Sequence, residues 1–211
     1  MMTKEALKNI LLKSDITRGT SLSQVRKILA SAGLSREEYQ VADGASKMCI
    51  ILKKADFVIK WSTGHDYESD FDEAYDEVLI YQRAVKAGLD MFFPKTEIFC
   101  IYNGINFIAQ EKVDFSTYTI PASKENRYAH KTRTVSPAVI EKMDNCFYHM
   151  RRGRELNSLW ASMAIVLYGK RKCKALCKFI IENSINDLHG SNIGYLKDKP
   201  IILDFSGYHR D

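Results

Sequence analysis

The chain reads as an α+β protein. Three observations predict it: two hairpin-like pairs of strand patterns with one helical pattern between them, a helical pair ahead of them, and a largely helical second half. Its 211 residues, 45% apolar and 27% charged, suit one large domain or two small lobes with a substantial core. No apolar run approaches the roughly 18 to 20 residues needed to span a bilayer. The N-terminus, Met1–Glu5, leads into an amphipathic segment rather than an apolar leader. A cytoplasmic protein with no membrane partner is therefore expected.

The first element is a helix over residues 4 to 13, with Leu7, Ile10 and Leu11 at helical spacing. After a break at Thr17-Arg18-Gly19-Thr20, Ser21-Leu22-Ser23-Gln24 reads as a capping box. Val25, Ile28, Leu29 and Ala32 follow, and Gly33 ends the second helix. This extension, residues 1–38, lacks the turn signals and basic second helix of a DNA reader, so it is expected to pack against the next segment. Nucleic acid is disfavoured as a partner.

From Tyr39 the pattern turns to strands. Met48–Leu52 and Phe57–Trp61 flank the short turn Lys53–Asp56. A helix is expected from about Phe71 to Ala87, with Ala74, Val78, Ile80, Tyr81 and Val85 inward and Gly88 as its stop. Glu97–Cys100 and Asn106–Gln110 flank Tyr102-Asn103-Gly104, a strong turn signal. Residues 39–113 thus form a sheet crossed by one helix. Residues 114–134 are polar and turn-rich and are read as a surface excursion. Helices are then expected at about Pro137–Arg151 and Leu159–Asn183. The latter is apolar on one face (Leu159, Met163, Val166, Leu176, Phe179, Ile180) and basic on another (Lys170, Arg171, Lys172, Lys174, Lys178).

The net charge of +5 conceals segregation. Asp66 to Glu77 holds seven acidic residues and no basic one, whereas Lys124 to Lys178 holds thirteen Lys or Arg against four Asp or Glu. The basic stretch 170–178 is either a solvated helix face or a seat for an acidic partner. Five cysteines (Cys49, Cys100, Cys146, Cys173, Cys177) show no metal-ligand spacing and read as thiols in a reducing compartment.

The chemistry is concentrated near the C-terminus, in Asp187-Leu188-His189-Gly190-Ser191-Asn192-Ile193-Gly194 followed by Ile201-Ile202-Leu203-Asp204-Phe205-Ser206-Gly207. An Asp and an Asn five residues apart, with a second Asp twelve residues on after an apolar strand, is a phosphoryl-transfer constellation. One carboxylate orients a hydroxyl nucleophile; an amide and another carboxylate hold a metal on a nucleoside triphosphate.

With these motifs in this order, residues 40 to 207 resemble the protein-kinase-like superfamily, in particular small bacterial and phage kinase-like proteins. The resemblance implies a two-lobed fold: an N-terminal helical extension (1–38), a β-rich nucleotide-binding lobe (39–113) and a reduced helical lobe (114–211). It implies ATP and Mg²⁺ as cofactors. Lys60, in Phe57-Val58-Ile59-Lys60, matches the strand lysine that meets the α- and β-phosphates, with Glu77 as its carboxylate partner and Glu73 in reserve. Asp43-Gly44-Ala45-Ser46 stands where the family has its glycine-rich phosphate cover. Only Gly44 is a glycine there, so Ser46 and Lys47 are expected to supply contacts. Gln110-Glu111-Lys112-Val113 matches the hinge, where the Glu111 carbonyl and the Val113 amide meet adenine. Asp187 matches the residue that orients the attacking hydroxyl, Asn192 and Asp204 the Mg²⁺ ligands, and His189 a group beside the transferred phosphoryl. Ile185-Asn186 replaces the family's His-Arg, and only four residues follow Gly207, so no activation loop or peptide-docking segment is expected there. A serine/threonine protein kinase, acting on a protein substrate or completed by an activating protein partner, is the leading expectation. A small-molecule phosphotransferase of the aminoglycoside or choline type and a nucleotide-binding interaction protein remain open.

Overall fold

Hydrophobic periodicity builds a five-stranded antiparallel sheet with helices on both of its faces. The computed structural model describes residues 3–44, 46–63, 72–113, 158–185, 188, 192–197 and 199–206. The surface excursion at 114–134, the helix expected at 137–151, Cys146, Asp187 and His189 lie outside the described residues. The chain divides into two units, residues 1–79 with 95–112 and residues 80–94 with 113–211.

In the first unit, α1 (Lys4–Leu12) is capped by Thr3, and α2 (Leu22–Ser31) carries the Ser21–Gln24 capping box in full. Gly33, at φ +86°, takes the left-handed conformation that ends α2. The strands are β1 (Tyr39–Asp43), β2 (Lys47–Leu52), β3 (Phe57–Ser62), β4 (Thr96–Tyr102) and β5 (Ile105–Glu111), in the spatial order β1-β2-β3-β5-β4. The sheet therefore has one strand more than the sequence pattern marked. Tyr39 and Val41 alternate inward along β1, which pairs with β2 through Val41 opposite Ile50.

Alternation along the strands gives the sheet two unlike faces. Val41, Met48, Ile50, Ile59, Trp61 and Phe107 form one core with Leu7, Leu11, Val25 and Leu29 of the helical pair, which packs as expected. The opposite face carries Cys49, Lys60 and Ile108 in cross-strand register, with Val58 opposite Gln110. The start of α3 (Glu73–Lys86) lies on this second face, where Ala74 and Val78 pack on Ile108.

In the second unit, the end of α3, a single 3-10 turn at Asp90–Phe92, α4 (Ser158–Glu182) and a hairpin of β6 (Ile193–Leu196) and β7 (Lys199–Ile202) share another core. Ile80, Ala84, Phe92, Phe93, Trp160, Leu176, Ile180 and Phe205 are central to it. Phe93 and Phe205 meet edge to face, centroids 4.9 Å apart. Gly88, at φ +62°, stops α3 as expected, and Lys172 Nζ donates to its carbonyl at 2.6 Å, a cation at the negative end of a helix. Val85, expected inward, is half exposed; Ala84 holds the buried position in that turn.

One further expectation is corrected. The helix at 159–183 is not continuous: Gly169, at φ +80° and ψ 155°, breaks α4 into two helical rods. The basic residues 170–178 all lie on the second rod. The apolar strand expected before Asp204 is present: it ends at Ile202 and is the second arm of a hairpin, because Ile193-Gly194-Tyr195-Leu196 pairs with it.

Candidate functional site

β2, β3, β5 and α3 converge on one side chain, Glu77, whose carboxylate has no exposed surface. Lys60 reaches it from the middle of the sheet: Lys60 Nζ donates to Glu77 Oε2 at 3.3 Å. The expected lysine–carboxylate pair, Lys60 with Glu77, is thus formed. Two further donors, which the sequence did not assign to Glu77, reach the same carboxylate. Lys47 Nζ donates to Oε1 at 2.9 Å, and Gln110 Nε2 to Oε2 at 2.9 Å. Gln110 also donates to Thr96 Oγ1 at 3.2 Å.

Glu73, one turn earlier on α3, accepts from Ser46 Oγ and lies 3.4 Å from Lys47 Nζ. Ser46 and Lys47, expected to face phosphate, thus have carboxylate partners in this structure. Two lysines and two carboxylates balance in charge, the condition under which such groups tolerate burial.

The start of α3 is fastened to the same sheet face. Asp72 Oδ1 accepts from Ser62 Oγ at 2.7 Å and from the Tyr75 amide at 3.1 Å; Oδ2 accepts from Asn106 Nδ2 at 2.8 Å. Ser62 Oγ in turn accepts from the Ala74 amide at 3.0 Å. A carboxylate at a helix N-terminus satisfies orphan donors and complements the dipole. Glu77 is therefore held at a set height above Lys60.

Cys49, directly opposite Lys60 across β2 and β3, is the near neighbour of this cluster. Burial pushes its thiol up to about 11; Lys60 opposes that shift and Glu77 adds to it. Gly44 closes the β1–β2 turn, its amide donating to the Lys47 carbonyl at 2.9 Å. A Cβ on Gly44 would come within 3.3 Å of that carbonyl oxygen, so the turn is tight. Glu111 ends β5, with its amide bonded to the Lys95 carbonyl at 2.8 Å. Val113 packs with Leu196, Ile201 and Leu203 in the second unit.

Asn192 and Asp204, twelve residues apart, come to the same end of the β6–β7 hairpin. Ile193 pairs with Ile202, and the Leu203 amide donates to the Asn192 carbonyl at 2.8 Å, which leaves Asp204 as the next residue. Ser206 Oγ lies 3.5 Å from Asp204 Oδ1. An amide oxygen and a carboxylate are hard donors of the kind Mg²⁺ takes, usually with phosphate and water completing its shell. Among the described residues, no group of three or more His, Cys, Asp or Glu is gathered as a self-sufficient metal cage. No helix among them is long and apolar enough to cross a membrane. No family model matches the chain, and no curated protein matches it.

The partners of Glu77 were hidden for a physical reason. Lys47 and Gln110 share a sheet face with Lys60 only once the registers β2–β3 and β3–β5 are set, and the second of these is a long-range pairing. Period-two alternation from Lys47 through Cys49 was the one local hint.

Proposed function

We propose that this chain is an ATP- and Mg²⁺-dependent phosphotransferase of the protein-kinase-like type, a small serine/threonine protein kinase before any other. The observation that carries the reading is the buried Lys60–Glu77 pair, a strand lysine oriented by a helix carboxylate. The Asp187, Asn192 and Asp204 motif supports it from the sequence. The fold proposed is two-lobed, with residues 39–113 as the nucleotide-binding lobe, 114–211 as a reduced helical lobe and 1–38 as an extension.

Phosphoryl transfer asks little covalent chemistry of a protein; positioning and charge neutralisation supply the catalysis. Lys60 places a cation on the α- and β-phosphates. Glu77 fixes where that cation stands. The β1–β2 turn at Gly44 and Ser46 covers the phosphates, and the backbone at Glu111 and Val113 meets the adenine edge. Asp187 orients the attacking hydroxyl, with His189 beside the transferred group. Asn192 and Asp204 would hold Mg²⁺, which would supply charge neutralisation for the triphosphate. The basic residues on the second rod of α4 are the proposed seat of an activating acidic partner.

Incubation with labelled ATP, Mg²⁺ and cell lysate tests this directly. Label is expected on the chain itself or on a protein band, and Lys60→Ala is expected to lower transfer by orders of magnitude. Label confined to small metabolites would redirect the reading to a small-molecule phosphotransferase, the alternative that His189 keeps open. Neither transfer nor ATP binding by the intact chain would end it.

A further inference from the structure

Glu77 has more partners than a lysine–carboxylate pair requires. Its Oε1 takes Lys47 at 2.9 Å, while Oε2 takes Gln110 at 2.9 Å and Lys60 at 3.3 Å. The Lys60 contact is the longest of the three. The Lys60 side chain is 14% exposed against 8% for Lys47, and Lys47 is further held by Glu73. Gln110 is braced by Thr96.

A carboxylate with no exposed surface cannot lose its only cation cheaply, because an uncompensated buried charge is strongly destabilising. With Lys60 as sole cation, a phosphate drawing on that amine would weaken the charge compensation of Glu77. With Lys47 and Gln110 in place it does not. The geometry points to a division of labour in which Lys47 is the standing counter-ion of Glu77 and Lys60, oriented by Glu77, is the arm offered to phosphate. Lys47 is a positioning residue that acts through Glu77, and α3 is fastened over the sheet before any nucleotide arrives. The nucleotide step of this inference rests on the phosphotransferase reading; the order in which the two lysines support Glu77 does not.

The full-length chain and its K60M, K47M and K47R variants are melted without ligand. K60M is expected to melt within about 2 °C of wild type, since two donors to Glu77 remain. K47M is expected to fall by about 5–10 °C, the scale of a lost buried ion-pair partner in a chain of this size, and K47R to recover most of it. Calorimetric Kd values for Mg–ATP are then compared below every melting point. K47M weakens binding by about tenfold alone but by less than about twofold in the K60M background, the non-additivity of one residue acting through another. That cycle separates positioning from direct phosphate contact, which would give additive losses.

A K60M melt as low as that of K47M, or additive losses in Kd, would overturn the division of labour. If K47M does not fold while K60M does, the order is upheld in stronger form, and K47Q carries the binding comparison. If the wild-type chain binds no Mg–ATP, the phosphotransferase reading fails while the melts still decide which lysine supports Glu77.

Discussion

A single methylene separates Asp from Glu, yet the two acids at the edges of α3's first turn have different tasks. Asp72 is short enough to cap the helix from the sheet side, whereas Glu77 reaches the sheet interior. The field they make with the lysines is felt by a third residue. Cys49 faces Lys60, and a lysine alone would draw a thiol down, but burial dominates and leaves it at about 11. At pH 8 this thiol is almost wholly protonated. Alkylation by iodoacetamide should therefore be slower than for an unperturbed thiol by about two orders of magnitude, since the thiolate is the nucleophile. Mass spectrometry of the modified chain checks this. Rapid labelling of Cys49 at pH 8 would mean that the Lys60 cation outweighs burial and that the face is wetter than described.

Elements here are held by a mixture of strong and weak devices, and mutation should sort them. Gly169 sits in a backbone region that L side chains rarely adopt, while a Cβ there would meet no atom within 4 Å. The cost of Gly169→Ala is therefore conformational alone, about 1–3 kcal/mol, read as a drop in Tm of about 2–4 °C per kcal/mol. An unchanged Tm would show that α4 runs straight through this point in solution. Lys4 and Glu97, by contrast, tie α1 to β4 on the surface, at 3.1 Å and about half exposed, so the pair contributes less than about 1 kcal/mol. The Lys4 hydrogen bond holds the Glu97 carboxyl below its usual range. A depressed acid stabilises the fold above its unfolded value, about 4.3, and that contribution fades as pH falls through the lower folded value. Lys4→Met should thus cost a few tenths of a kcal/mol at pH 7 and nothing at pH 2, measured by urea titration at both pH values. A difference that persists at pH 2 would assign the effect to packing of Lys4 on the Phe57 ring, 5.0 Å away, instead.

At the scale of the whole molecule, what was legible in the sequence divides by range of interaction. The capping box at Ser21, the turn at Asn103-Gly104 and the stop at Gly88 are local chemistry, and each stands where its residues imply. Lys60 and Glu77 were legible as a pair through the resemblance to the kinase-like superfamily, which needs only one strand and the next helix to place them. Lys47 and Gln110 were not, since their approach to Glu77 depends on three strands in register. Gly169 was invisible as a break because an isolated glycine in a helical pattern is usually only a small cost. The β6 arm, four residues with a glycine among them, carries too little pattern to announce a strand, yet it is what brings Asn192 beside the end of β7.

That hairpin end allows a separation of function from folding. Asp204 follows Leu203, whose amide is bonded to Asn192, and the Asp204 side chain is only partly buried, with Ser206 Oγ 3.5 Å away. Asp204→Asn keeps the shape and a hydrogen-bonding oxygen while removing the charge. Its Tm should stay within about 3 °C of wild type, because a partly exposed isosteric change removes no buried packing. Mg²⁺-dependent stabilisation by ATP should nevertheless be lost, and transfer should fall by about a hundredfold or more, because a carboxylate ligand to a hard dication is not replaced by an amide. Thermal shift with ATP, in Mg²⁺ and in EDTA, separates the two effects. A variant with the same Mg²⁺-dependent shift and turnover as wild type would remove Asp204 from the metal set and leave the hairpin as structure alone.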